Sequence, residues 1–387
     1  MQGEGSSLID AINLTRELIQ RPSVTPADAG AIGIVERTLA HLGFACRRMK
    51  FGDIENLYAR YGAEGPNLCF AGHTDVVPVG DVAAWSTDAF AAEVVDGVLI
   101  GRGAVDMKSA IAAFAAAAAT AIAAGQVKGS ISFLITGDEE GVALHGTKKV
   151  VEALQASGER IDHCVVGEPT SSELFGDMVK VGRRGSINAE IEVKGVQGHV
   201  AYPHRAANPV PVLVKLLAAL EARVLDEGYP EFQPSNLEIT RIDAPNTATN
   251  VIPGAARAWL NIRFNPNHTG ASLAQWIETE ADKAAQGFKG SVTVTPQISG
   301  EAFRTEPGKF TEVVAAAVRE VTGRTPELST SGGTSDARFI RSLCPVVELG
   351  LVGKTMHQVD ERAPIGEIRM LQQVYETLIA RYFEAFA

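Results

Sequence analysis

Apolar residues recur at helical spacing across positions 8–20, and Pro22 closes the pattern, so the chain is expected to open on an amphipathic helix. Short apolar runs follow at 67–71, 131–136, 164–166 and 345–349, each ending in a Gly-, Asp- or Glu-rich segment, with helical patterns at 109–124 and 145–156 between them. Strands alternating with helices predict an α/β fold, with a mainly parallel sheet flanked by helices on both faces. Such a sheet presents ligands at the carboxyl ends of its strands, and the polar clusters considered below are read as lying there.

From about 186 to 299 the pattern changes. Residues 186–194 alternate, 209–224 are helical, 236–242 and 255–264 are strand-like, 272–285 are helical and 291–298 alternate again. That order, βαββαβ, is the ferredoxin-like arrangement. It predicts a smaller lid or dimerisation domain at 185–298, inserted into a catalytic domain made of 1–184 and 299–387; one continuous mixed domain is the competing reading. The alanine-rich stretch 110–124 is shorter than the roughly 20 residues a bilayer-spanning helix needs, and alanine is the best helix former, so it predicts a buried helix of a soluble protein.

A length of 387 residues, 45% hydrophobic and 21% charged, suits a globular chain of two domains. The formal charge of −11, with 35 Lys and Arg against 46 Asp and Glu and no long basic run, argues against a nucleic-acid partner. An anionic substrate would have to be drawn by a few local arginines. Cys46, Cys69, Cys164 and Cys344 are widely spaced, which indicates neither a zinc ribbon nor a disulfide framework and fits a reducing cytoplasm. Residues 1–20 lack the basic and apolar regions of a signal peptide, so neither a membrane nor a secretory route is expected.

Five clusters can carry chemistry. In Gly72-His73-Thr74-Asp75, the spacing of two would let Asp75 hold the His73 imidazole while its other nitrogen meets a metal. In Gly101-Arg102-Gly103-Ala104-Val105-Asp106, the acid precedes the alanine helix, where capping the helix is the ordinary alternative. Thr136-Gly137-Asp138-Glu139-Glu140-Gly141 crowds three acids whose repulsion a cation would relieve, and its adjacent glutamates point different ways, so one could ligate while the other moves a proton. Gly167-Glu168-Pro169 and Met356-His357-Gln358-Val359-Asp360-Glu361 complete the set. Singly, each has a bland reading as turn, cap or solvated loop. Together, His73, Asp106, Glu140, Glu168 and His357 offer nitrogen and oxygen donors suited to zinc. No GxSxG elbow, GxGxxG turn or GxxxxGK[ST] loop offers a competing chemistry.

With these clusters in order, the sequence resembles the dinuclear zinc aminoacylase family that includes acetylornithine deacetylase and carboxypeptidase G. GHTDVVPVGD, GRGAVDMKS, GDEEG and GEPT carry the resemblance to the family, which runs over nearly the whole chain; GRRGSI, GHVAYPH and SGGTSD narrow it to a branch acting on an N-succinyl diamino acid with several carboxylates. The resemblance implies two zinc ions per subunit, for which cobalt or manganese could substitute. Asp106 would bridge them, with His73 and Glu168 on one and Glu140 and His357 on the other. It further implies Asp75 as the group orienting His73, Glu139 as general base, and His199 as an oxyanion-assisting histidine supplied across a homodimer. Arg183, Ser186, Tyr202, Asn250, Arg263, Gly333 and Thr334 would bind the substrate, the two arginines gripping carboxylates bidentately. Gly353 departs from some relatives, which carry a polar residue there, so one side-chain contact is lost. Removal of another acyl group, such as acetyl from acetylornithine, is the alternative activity, and a metal-stabilised binding protein the alternative class.

Overall fold

The computed structural model describes residues 9–387. Residues 1–8, which include Leu8 of the expected opening helix and the start of the stretch read for a leader, lie outside the described residues. The chain divides into two compact units, one of Met1–Gly182, Thr305–Ser329 and Ser335–Ala387, the other of Arg183–Arg304 with Thr330–Thr334.

The first unit is built on an eight-stranded sheet. At its centre Asn67–His73 runs parallel to Ser130–Thr136 on one side and His163–Val166 on the other, and Val346–Glu348 continues the parallel set. Every residue of Asn67–His73 and Ser130–Thr136 is buried, as unbroken apolar runs covered on both faces must be. The sheet is not parallel throughout. The hairpin Ala45–Phe51 and Ile54–Tyr61 adds antiparallel to Ser130–Thr136, and Met178–Lys180 joins Val346–Glu348 antiparallel at the other side. Periodicity missed the outer strand Ala45–Phe51 because its residues, rich in Arg and Lys, are exposed or half-buried and show no apolar run.

The alanine helix forms at Lys108–Ala123 and is buried along almost its whole length. It packs against Ala11–Ile19 and Ile365–Phe386, with the Phe114 ring stacked on Phe70 of the central strand at 4.6 Å and edge-on to Tyr375 at 5.2 Å. Where strand and helix approach most closely, glycine is required. A Cβ on Gly72 would stand 2.7 Å from Met107 Cε, and one on Gly167 would stand 2.6 Å from Phe70 Cζ and 2.7 Å from Ala110 Cβ. His73 and Glu168 each follow one of these glycines, so close packing of the core sets where they emerge. Among the described residues no helix is long and apolar enough to cross a membrane.

The second unit carries a four-stranded antiparallel sheet in the order Asn236–Asp243, Ala255–Phe264, Gly185–Lys194, Ser291–Gly300. Helices Pro209–Glu221 and Gly270–Ala284 bury Leu213, Leu216, Leu220, Leu273 and Ile277 against Ile187, Ile191, Leu260 and Ile262. The alternation read in the sequence supplies that apolar face, and the element order is the ferredoxin-like βαββαβ.

Candidate metal centre

Five segments of the first unit bring acids and imidazoles to one place. His73 is the last residue of the central strand; Glu139 and Glu140 follow Ser130–Thr136, and Glu168 follows His163–Val166. Two of the five candidate ligands do not sit at ends of the large sheet's strands, contrary to the sequence reading. Asp106 lies in the turn between Val98–Ile100 of a small separate sheet and the alanine helix, and His357 lies in a loop beyond Val346–Glu348. Nor does Asp106 cap the helix. The N-cap is Met107 and no side chain caps there, because the Asp106 carboxylate is turned to the imidazoles instead.

His73 Nε2 is 3.1 Å from Asp106 Oδ1, and His357 Nε2 is 3.3 Å from Asp106 Oδ2 and 2.9 Å from Glu140 Oε1. Glu168 Oε1 stands 3.8 Å from His73 Nε2. Donor atoms of His73, Asp106 and Glu140 all lie within 4.8 Å of one another, and so do those of His73, Glu139 and Glu168. Asp106 thus offers one oxygen to each histidine, as a bridging carboxylate does.

The His73 tautomer follows from its neighbours. Nδ1 lies 2.9 Å from the backbone carbonyl of Asp75, which can only accept, so Nδ1 carries a hydrogen and Nε2 is the ring nitrogen that faces the carboxylate oxygens. The Asp75 carboxylate, read from the sequence as the group that holds this imidazole, is 3.6 Å from Nδ1. It accepts instead from the backbone N–H of Glu139 at 3.3 Å and of Glu140 at 3.0 Å. Asp75 therefore ties His73, through its carbonyl, to the glutamate turn, through its carboxylate.

The electrostatics report a site rich in negative charge. Burial, reinforced by Asp106 and Glu139, raises the Glu168 carboxyl well above the usual range. Burial likewise pushes Glu139 up to about 8, with His73 pulling the other way and Asp336, Glu140 and Asp106 adding to the rise. Asp75 goes up to about 6 because its burial outweighs the His73 charge and its two backbone hydrogen bonds. Hydrogen bonds to Asp106 and Glu140 lift His357 to about 10. Asp106 alone is driven well below the ordinary carboxylate range, the two imidazoles overcoming its burial. A surplus of acceptor atoms facing one another is what divalent cations neutralise, so these residues fit a metal of nitrogen and oxygen preference.

The remaining sequence candidates lie in the second unit, in three groups. His199, Tyr202 and Asn250 gather at the ribbon Gly198–His199 and Val251–Ile252: His199 pairs with Val251, its ring centroid is 5.7 Å from that of Tyr202, and the Asn250 carbonyl accepts from Val200 N–H at 3.1 Å. Ser186 and Arg263 are directly opposite on paired strands. Asn261 joins them, donating to Ser186 Oγ at 3.2 Å and accepting from Arg263 Nε at 3.0 Å. Arg183 is buried and donates to the Ser331 carbonyl at 3.4 Å, beside the turn that holds Gly333 and Thr334. Asn261 was missed in the sequence because one asparagine on an alternating strand carries no signal. Arg102 and Glu361 stood in motifs already singled out but were given no role.

Residues 69–381 match the profile of peptidase family M20/M25/M40. The chain is 82% identical over 378 residues to a succinyl-diaminopimelate desuccinylase of Phenylobacterium zucineum, covering 98% of this chain and 100% of that one. It is 71% identical to a protein of the same name from Caulobacter vibrioides, over 98% of this chain and 97% of the other. Among solved structures, a tripeptidase of Staphylococcus aureus superposes with a TM-score of 0.81 at 19% identity, over 98% of this chain and 100% of that chain. A dinuclear metal-binding peptidase of Bacillus subtilis superposes with a TM-score of 0.73 at 17% identity, over 97% and 98% of the two chains. At these identities the structural likeness is one of fold.

Proposed function

We propose that this chain, which belongs to peptidase family M20/M25/M40, is a metal-dependent amide hydrolase that converts N-succinyl-LL-2,6-diaminopimelate and water to succinate and LL-2,6-diaminopimelate. The substrate is the one implied by the shared name of its near-full-length relatives. The observation that carries the chemistry is the Asp106 carboxylate, with one oxygen toward His73 and the other toward His357.

His73 and Glu168 would hold one zinc ion and Glu140 and His357 a second, with Asp106 shared between them. When bound, the pair lowers the pKa of a water toward about 7 and polarises the amide carbonyl. Glu139 takes the proton as the water oxygen bonds to the carbonyl carbon, and returns it to the nitrogen as the carbon–nitrogen bond breaks. The acyl group leaves as succinate and the nitrogen as the free amine. Asp75 fixes the direction of the His73 ring and the turn that carries Glu139. Arg183 and Arg263 take substrate carboxylates, with Ser186, Tyr202, Asn250, Gly333 and Thr334 adding hydrogen bonds. His199 donates toward the developing oxyanion from the second subunit of a homodimer.

The test is hydrolysis of N-succinyl-LL-2,6-diaminopimelate beside N-acetylornithine by the zinc-supplied full-length protein. A preference for the succinyl substrate of about 10³-fold or more in kcat/KM is expected, because a site built for buried charged groups strongly rejects an analogue lacking them. A preference for acetylornithine rejects the substrate assignment.

A further inference from the structure

Val98–Ile100 and Arg362–Pro364 pair antiparallel and Gly101 N–H donates to the Glu361 carbonyl at 2.9 Å, which brings the two segments together, but Asp106 and His357 themselves lie in the irregular stretches beyond that pairing. His357 and Asp360 take left-handed backbone, with φ of 62° and 55°, a conformation that non-glycine residues seldom adopt. Besides its own hydrogen bonds, among them Gln358 N–H to the Thr355 carbonyl at 3.2 Å, the loop is held by other segments. On one side, Asp360 Oδ1 accepts from the Ser86 N–H at 2.8 Å and the Ser86 hydroxyl at 3.0 Å. On the other stands a buried ion pair.

Arg102 is 1% exposed and Glu361 is fully buried. Arg102 Nη1 donates to Glu361 Oε2 at 2.7 Å, and the same oxygen accepts from Gly103 N–H at 3.1 Å. Glu361 Oε1 accepts from the N–H of Val105 at 2.8 Å and of Asp106 itself at 3.1 Å. The guanidinium lies over the Trp85 ring at 5.3 Å. It also donates to three carbonyls: Gln358 at 3.2 Å, His357 at 3.4 Å, and Pro78, in the loop that follows His73, at 3.3 Å. Apart from the bond between the two side chains, each of these hydrogen bonds ends on the backbone of a loop bearing a candidate ligand. For stability alone, apolar residues of similar volume often serve as well as a buried ion pair. Hydrogen bonds in fixed directions from both loops are what apolar residues could not supply.

We propose that Arg102 and Glu361 form a positioning clamp that holds the Asp106 turn and the His357 loop in register for a cation shared between them. The proposal rests on reading Asp106 and His357 as ligands. The pair acts through backbone, and neither side chain is itself a candidate donor.

The test uses the full-length protein with Co²⁺ as probe, and Glu361→Gln and Arg102→Lys as variants. An amide at 361 cannot accept at both of its atoms, and an ammonium at 102 cannot reach the carboxylate and three carbonyls together. The expected result is a Co²⁺ affinity lowered about 10- to 100-fold in chelator competition. It should come with a shifted ligand-field absorption spectrum in the loaded protein, while circular dichroism of the metal-free variants remains native. Wild-type affinity and spectrum in a folded variant overturn the clamp even if its melting temperature falls. If one variant does not fold, the other decides; failure of both to fold, with or without Co²⁺, also counts against it, since the pair would then be a folding element. His357→Ala is run alongside. If it keeps the wild-type stoichiometry and spectrum, the ligand assignment itself fails. If it loses a cation while the clamp variants do not, only the clamp fails.

Discussion

At the scale of single residues, the proposed division of labour within Glu139-Glu140 follows from direction: Glu140 meets His357 at 2.9 Å, while Glu139 groups with His73 and Glu168. Glu139→Gln keeps the shape and removes the proposed base. It should lower kcat by about 10²- to 10⁴-fold while elemental analysis finds the metal content unchanged, and a variant of near wild-type turnover would remove Glu139 from its assigned role. Away from the site, Asp226 of the second unit accepts from Asn265 Nδ2 at 2.6 Å, Gly228 N–H at 2.7 Å and His268 Nε2 at 3.1 Å. Burial alone would raise its pKa, but the hydrogen bonds from Ser235, Asn265 and Gly228 win and hold it below the ordinary 3.8. A folded-state value below the unfolded one stabilises the protein above the unfolded pKa, and that contribution is lost as pH falls through the folded value. Asp226→Asn should therefore cost about 1–3 kcal/mol at neutral pH and flatten the loss of stability below pH 4, as read by denaturant melts across pH.

At the scale of elements, the site depends on how closely the alanine helix approaches the central strands. Alanine at its buried positions and glycine at 72 and 167 permit that approach. Gly167→Ala would set a methyl group 2.6–2.8 Å from Phe70 Cζ, Ala110 Cβ and Met107 Cε. It should destabilise by about 1–3 kcal/mol through overpacking and displace Glu168, so that metal affinity falls along with thermal stability. Unchanged stability and affinity would show that the contact relaxes freely. The buried strands and the alanine helix were legible because a run of apolar residues covered on both faces leaves an uninterrupted mark. The edge strand Ala45–Phe51 was not, since it is half exposed and its composition resembles a loop; its partner Ile54–Tyr61 is mostly buried, but Glu55, Asn56 and Arg60 interrupt its apolar run.

At the scale of the whole molecule, the proposal that His199 acts across a homodimer predicts complementation. Mixing His199→Ala with Glu139→Gln under conditions that exchange subunits should restore about a quarter of wild-type activity, since half of the two-fold dimers would then carry one site with both functional groups. No recovery despite proven subunit exchange would place His199 within its own subunit's chemistry or outside it altogether. What the sequence by itself determined is local: the type of several buried elements, the βαββαβ order, and the chemical identity of the candidate donors at 73, 106, 140, 168 and 357. The pattern and spacing of neighbouring residues specify these without reference to distant segments. Only the tertiary structure decided that Asp106 faces two histidines rather than capping its helix, that Asp75 reaches the glutamate turn, and that Thr330–Thr334 joins the second unit. It also decided that Glu361 closes on the N–H of Asp106, 255 positions earlier in the chain. The reason is physical: a hydrogen bond between segments so far apart exists only once the sheet and its helices have closed, and no periodicity within a window of residues encodes that closure.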